Sequence, residues 1–145
     1  MKILFIIKHV DYIDPMGIML LSALAKKDGY ETYLHILSNG GLIEKVDEIK
    51  PDIVAYSAKT GEHKYYLDAN KTIKNSHPEV FSIMGGPHCT FFPESVNEGN
   101  LDVICVGEGD LAWPEFLRAF KNKEAIDNIA NIYTDLQRGG CHANA

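Results

Sequence analysis

Ile3-Leu4-Phe5-Ile6-Ile7 is the stretch on which the reading of the fold turns. A strand with one wet face alternates apolar and polar residues, whereas a strand covered on both faces has no polar side to keep. An unbroken, isoleucine-rich run this short therefore reads as a buried strand of a parallel sheet. It is too short to cross a membrane. No small-residue cleavage site follows it, so it does not read as a signal peptide.

Outward from this run the chain alternates strands and helices. Pro15 and Gly17 punctuate the following loop, and a helix is expected from Met16 to Lys27, stopping at Asp28-Gly29. Thr32–Leu37 reads as a second strand, Leu42–Lys50 as a short amphipathic helix and Ile53–Tyr56 as a third strand. Glu62–Ser76 reads as a helix with Tyr66, Ala69 and Ile73 on one side. Val80–Met84 is the fourth strand, Phe92–Glu98 a short helix, Asp102–Val106 the fifth strand and Leu111–Phe120 the last helix. Five strands alternating with helices predict a flavodoxin-like, Rossmann-like α/β fold with a doubly wound parallel sheet in the order 2-1-3-4-5. Residues 1–134 form one domain on this reading. The stretch 135–145 lacks periodicity and reads as a flexible tail.

The chain has 145 residues, which suits one domain with a core of its own. The formal net charge of −6 gives no electrostatic footprint for nucleic acid. Cys89, Cys105 and Cys141 are an odd, widely spaced trio that suggests neither a disulfide framework nor a zinc site. A reducing cytoplasm is the simple expectation. The helix from Met16 to Ala25 is apolar nearly all round, so its outer side is expected to meet another domain or a second copy of the chain.

In a sheet of this order ligands bind beyond the carboxyl ends of the strands, at the switch point between the first and third. Four loops meet there: His9–Gly17, Ser57–Gly61, Gly85–Thr90 and Gly107–Asp110. Each glycine turn alone reads as ordinary turn chemistry. Glycines at the exits of two neighbouring parallel strands point to a ligand approached closely by backbone. No Gly-x-Gly-x-x-Gly follows the first strand and no Walker loop occurs, which argues against dinucleotides and nucleoside triphosphates. A phosphoacceptor receiver needs an acidic pair after the first strand and an aspartate ending the third. Here Lys8-His9-Val10-Asp11 and Tyr56-Ser57-Ala58 stand in those places.

Gly85-Gly86-Pro87-His88-Cys89-Thr90 with Pro93-Glu94 resembles the Gly-Gly-Pro-His-x-Thr-x-x-Pro-Glu signature of cobalamin-binding domains that precede radical SAM domains. Val106-Gly107-Glu108-Gly109-Asp110 followed by Trp113-Pro114-Glu115 is similar to that family's second glycine turn. Pro15-Met16-Gly17-Ile18 is similar to its segment after the first strand, and Val54–Thr60 to its third-strand exit. The resemblance covers residues 2–134. It implies cobalamin as cofactor, with its dimethylbenzimidazole tail at the switch point and the corrin across the strand ends. The implied contacts are Asp14, Met16 and Gly17 after the first strand, and Ser57, Ala58 and Thr60 after the third. Gly85, Gly86, Pro87 and His88 follow the fourth strand, and Gly107, Glu108 and Gly109 the fifth.

One departure matters. Related cobalamin domains carry Asp-x-His-x-x-Gly, whose histidine ligates cobalt. Counting back from Gly17 puts Asp14 at the histidine position and Tyr12 at the aspartate position. Base-off cobalamin without a histidine from this loop is the expectation, with Asp14 able to hydrogen-bond a cobalt-bound water. The Cys-x-x-x-Cys-x-x-Cys of a radical SAM cluster does not occur in this chain. The chain alone is therefore expected to hold the cofactor and present it, in methyl transfer, to a radical SAM domain or chain carrying an iron–sulfur cluster. The alternative reading is a flavodoxin-like domain for another cofactor such as a flavin, or a non-catalytic interaction or sensor module. The lack of Ser and Thr in His9–Gly17 weighs against a flavin phosphate site.

Overall fold

The isoleucine-rich run becomes β1 (Lys2–Ile7), an interior strand paired on both sides. The structure is a computed structural model that describes residues 1–9 and 16–134. Asp14 and the expected tail 135–145 lie outside the described residues. The remaining strands are β2 (Glu31–Ile36), β3 (Ile53–Ser57), β4 (Phe81–Gly85), β5 (Val103–Cys105) and β6 (Ile132–Tyr133). The sheet order is β2-β1-β3-β4-β5-β6. The first five strands are parallel, in the expected order.

The sixth strand is an addition to the five expected. It pairs antiparallel with β5, Ile104 opposite Tyr133 and Cys105 opposite Ile132. The Val106 N–H extends the ladder to the Asn131 carbonyl at 2.8 Å. Two residues are too few for a period-2 pattern to register. Their effect is to cover an otherwise open edge of β5.

The helices are α1 (Met16–Lys27), α2 (Leu42–Ile49), α3 (His63–Ser76), α4 (Pro87–Phe91) and α5 (Gly109–Lys121). One face of the sheet (Ile3, Phe5, Ala55, Ile83 and Cys105) packs against α1 and α5 through Ile18, Ala25, Trp113 and Phe116. The other face (Leu4, Ile6, Val54 and Met84) packs against α2 and α3 through Val46, Ile49, Tyr66 and Ile73. Burying each large apolar side chain of these layers contributes roughly 1.5–3 kcal/mol. The continuous apolar runs of the strands thus feed two cores at once.

The short helix expected at Phe92–Glu98 is displaced. Helix α4 begins at Pro87, and a 3₁₀ segment covers Pro93–Asn97. Pro87 occupies the first helical turn, where its missing N–H costs nothing. Pro93 then holds Phe92 out of helical geometry and separates the two segments. At the opposite end of the sheet, Asp102 joins β4 to β5. Its carboxylate accepts from the Ser82 N–H at 2.8 Å and from Lys74 Nζ at 2.5 Å.

Candidate cofactor-binding site

A cleft of about 520 Å³ opens between the sheet and the α1–α5 layer, at the carboxyl ends of the strands. This is within the ~300–1,000 Å³ usual for small-molecule sites. Its floor follows from the strand register. Phe5 lies opposite Ala55, and Ala55 opposite Ile83, in one row across β1, β3 and β4. Two residues further toward the strand ends, on the same face, Ser57 lies opposite Gly85. Ala55 and Gly85 leave a trough between larger neighbours. Ile18 and Leu21 of α1 and Trp113 of α5 form the walls. Trp113 is held in place by its indole N–H, which donates to the Leu21 carbonyl at 2.9 Å, and by its ring against Phe5.

Two adjacent glycines have different physical reasons to be there. Gly86 has φ +95° and ψ 177°, a conformation almost restricted to glycine. A Cβ at Gly86 would also stand 2.7 Å from both the N and the O of Ala58. That approach is fixed by hydrogen bonds from the Ala58 N–H to the Gly85 carbonyl (2.9 Å) and from the His88 N–H to the Ala58 carbonyl (3.0 Å). The fold itself demands Gly86. Gly85 carries no such demand. Its φ lies outside the left-handed region, and a Cβ there would find Cys105 Cβ at an ordinary 3.6 Å. Gly109 is similar, with room for a Cβ at 3.8 Å from Cys105 Sγ and Leu21 Cδ2. Both line the cleft. A strand glycine that the backbone does not need costs about 0.5–1 kcal/mol relative to alanine, so the space above Gly85 is the kind of cradle a flat ligand fills.

The structure divides the residues singled out from the sequence into two groups. Gly17, Ser57, Gly85, Gly86, Pro87, Gly107, Glu108 and Gly109 line the cleft. Ala58, Thr60 and His88 lie behind the Gly86 turn, on the α3 side. Ala58 belongs to the core shared with α2 and α3. His88 is buried, stacks on His63 at 3.7 Å between ring centroids, and shares a hydrogen bond of 3.2 Å with Thr60 Oγ1. Burial and, next, the neighbouring His63 hold the His88 imidazole below its usual pKa, with Glu98 and Glu94 pulling weakly the other way. Met16 opens α1 with its side chain exposed and is not among the lining residues. Asp14 lies outside the described residues.

Several lining residues were not singled out from the sequence as contacts. Thr90 Oγ1 accepts the Gly107 N–H at 2.9 Å and so ties α4 to the β5–α5 turn across the cleft. Its spacing after the glycine pair was the available signal. Cys105 closes the far wall, and burial pushes its thiol up to about 11. Phe5, Ala55, Ile83 and Trp113 gave no chemical signal, since core residues look the same.

Among the described residues there is no group of three His, Cys, Asp or Glu side chains able to hold a metal, and no helix long and apolar enough to cross a membrane. A second cavity of about 350 Å³, lined by Asp47, Lys50, Asp52, His77 and Glu79, lies at the opposite end of the sheet.

The sequence matches the family model of the B12 binding domain over residues 4–117. The chain belongs to the B12-binding domain family. Its cofactor is accordingly cobalamin. This B12-binding chain is similar to the hopanoid C-3 methylase of Methylococcus capsulatus, with 25% identity over 127 residues, 83% of this chain and 25% of that one. It is also similar to the anaerobic magnesium-protoporphyrin IX monomethyl ester cyclase of Cereibacter sphaeroides, with 32% identity over 124 residues, 80% of this chain and 20% of that one. Among solved structures, the radical S-adenosylmethionine methyltransferase TsrM from Kitasatospora setae superposes with a TM-score of 0.76. That superposition has 16% identity and covers 94% of this chain and 27% of that one, a likeness of fold. The B12-binding chain spans about a quarter or less of the length of the two curated relatives. The expected self-association through α1 finds no support in these comparisons.

Proposed function

We propose that the cleft between the sheet and the α1–α5 layer holds cobalamin base-off, and that the domain presents it to a radical SAM domain or chain for methyl transfer. The observation that carries this reading is Gly85. It is a glycine that neither backbone geometry nor packing requires, at the centre of a preformed apolar cleft, in a chain of the B12-binding family. Gly85 and Gly109 make room, Ser57 and Glu108 offer polar atoms at the mouth, and Thr90 keeps the two glycine turns at a fixed separation. When bound, cobalamin supplies a cobalt centre able to carry a methyl group. The residues of this chain bind and orient that group and keep water from its buried tail.

Support for base-off binding comes from the loop before Gly17, where Tyr12 and Asp14 replace the Asp and His of the cobalt-ligating motif. Asp14 is assigned to the cobalt side of the cofactor on that ground. Support for a radical SAM partner comes from the relatives. The TsrM structure contains cobalamin and a [4Fe-4S] cluster, and TsrM is a radical S-adenosylmethionine methyltransferase. The rim of the cleft also suits a partner. Leu20 and Phe91 line it and remain 50% and 75% exposed, with Met16 and Met19 exposed on α1 and Leu111 exposed at the start of α5. Apolar residues grouped in this way mark contact surfaces.

The test is to mix the purified chain with hydroxocobalamin, remove free ligand by gel filtration and record the visible spectrum. Stoichiometric retention with a base-off spectrum is the expected result. A nitrogen-ligated spectrum would overturn the base-off part, and loss of all corrinoid would overturn the binding site.

A further inference from the structure

The chemistry of the cleft floor bears on which corrinoids the domain accepts. Natural corrinoids share the corrin ring and differ in the base at the end of the nucleotide tail. That base is an apolar benzimidazole or phenol in some and a purine in others. The floor and walls around the trough are Phe5, Ile18, Leu21, Ala55, Ile83 and Trp113. None has a polar side-chain atom free to meet a ligand, because the one such atom, Trp113 Nε1, is committed to the Leu21 carbonyl at 2.9 Å.

Nearer the mouth, Ser57 and Glu108 offer polar atoms, whereas Thr90 and Asp110 are engaged. Thr90 Oγ1 accepts from the Gly107 N–H at 2.9 Å and reaches the Gly86 carbonyl at 3.4 Å. An Asp110 carboxylate oxygen accepts the Leu111 N–H at 3.1 Å. Cys105, on the other side of Gly85 from Ser57, stays a neutral thiol, a weak donor at most. A purine pushed into this trough would bury an exocyclic amine and several ring nitrogens, more polar atoms than the Ser57 hydroxyl at its outer end can satisfy. A benzimidazole with two methyl groups, or a cresol whose oxygen joins the tail, would bury mainly carbon. Unpaired buried polar groups are penalised more heavily than matched apolar contacts are rewarded.

We infer that the trough selects corrinoids with an apolar lower base, benzimidazole or phenol, over those carrying a purine. The inference rests on the proposed placement of the tail in this cleft. The expected discrimination is roughly ten- to hundredfold in Kd, about 1.4–2.8 kcal/mol.

The test is a set of equilibrium titrations of the chain with cyanocobalamin, cresolylcobamide, adenylcobamide and cobinamide, which lacks the nucleotide tail. Cyanocobalamin and cresolylcobamide are expected to bind within a few-fold of each other, with adenylcobamide at least about tenfold weaker. Adenylcobamide binding as tightly as cyanocobalamin, with cobinamide clearly weaker than both, would overturn the selectivity while leaving the tail in the cleft. Equal binding of cobinamide and cyanocobalamin would overturn the placement of the tail, and the inference with it. A second variant reads the trough directly. Ala55→Val, which narrows the floor between Phe5 and Ile83, is expected to lower cyanocobalamin affinity toward that of cobinamide while leaving cobinamide affinity unchanged. Equal loss for both ligands would contradict the inference.

Discussion

Replacing Gly85 and Gly86 separately by alanine gives two neighbouring substitutions with opposite expected consequences. At Gly86 the new Cβ would sit 2.7 Å from Ala58 N and O and 3.0 Å from Ser57 Oγ. Relief requires moving backbone that is pinned by the Ala58–Gly85 and His88–Ala58 hydrogen bonds. The glycine-only φ adds about 1–3 kcal/mol of strain, and the overpacking a comparable ~1–3 kcal/mol. Gly86→Ala is therefore expected to lose on the order of 3–5 kcal/mol, roughly 10 °C or more in Tm for a chain of this size. At Gly85 the Cβ fits at 3.6 Å from Cys105 Cβ. Gly85→Ala is expected to fall within about 1 kcal/mol of the parent, and can gain from the lower entropy of the unfolded chain. Its effect should appear in cobalamin affinity instead, and Gly85→Leu, which fills the trough, should abolish binding. Urea and thermal unfolding of the two alanine variants, with cobalamin titrations alongside, separate the roles. Gly86→Ala as stable as Gly85→Ala would refute the argument that the fold demands the first and the ligand the second.

Other consequences follow from buried polar groups. His88 and His35 are both held below their usual pKa, chiefly by burial. Each binds more protons when unfolded, so stability is expected to be full above the unfolded value near 6.5, to fall as pH drops from there toward the folded pKa, and then to level off. Urea midpoints measured across this range should show that slope, and His88→Gln should flatten part of it. Burial pushes the Cys89 and Cys105 thiols up to about 11. At about pH 8 only on the order of a thousandth of either would be thiolate. Iodoacetamide should leave both unmodified in the folded chain and alkylate both in urea, as read by peptide mass spectrometry. Asp102→Ala would strand the Ser82 N–H, now received at 2.8 Å, and would take from Lys74 Nζ its carboxylate at 2.5 Å, leaving that ammonium the Val80 carbonyl at 2.6 Å. The expected cost is about 3 kcal/mol, with cobalamin affinity unchanged because the site is at the other end of the sheet.

The strand–helix alternation was legible because the helices carry period-3.6 patterns and the parallel strands read as unbroken apolar runs. Those same runs hid the floor of the site. When every position of Ile3–Ile7 is apolar, the sequence does not say which residues face α1 and α5. Phe5, Ala55 and Ile83 therefore looked like any core residues until the register aligned them. Gly85 and Gly86 were legible as a pair, but their separate roles depend on Ala58, which is distant in sequence. His88 and Thr60 stood in the right motif, and the turn at Gly86 puts them behind the cleft with His63. Residues 132–133 were too short to announce a strand. Their place at the edge comes from pairing with β5, a tertiary event.

The measurement that bears most directly on the proposed site is an amide NMR titration of the labelled chain with diamagnetic cobalamin. Trp113 is the sole tryptophan, so its indole N–H is a single reporter at the cleft wall. The expected result is a saturable shift of that resonance together with the amides of Gly85, Thr90, Gly107 and Gly109, while His77 and Lys50 at the second cavity stay in place. Shifts centred on His77 and Lys50, or no shift of the Trp113 indole on saturation, would contradict the assignment of the cleft as the cobalamin site.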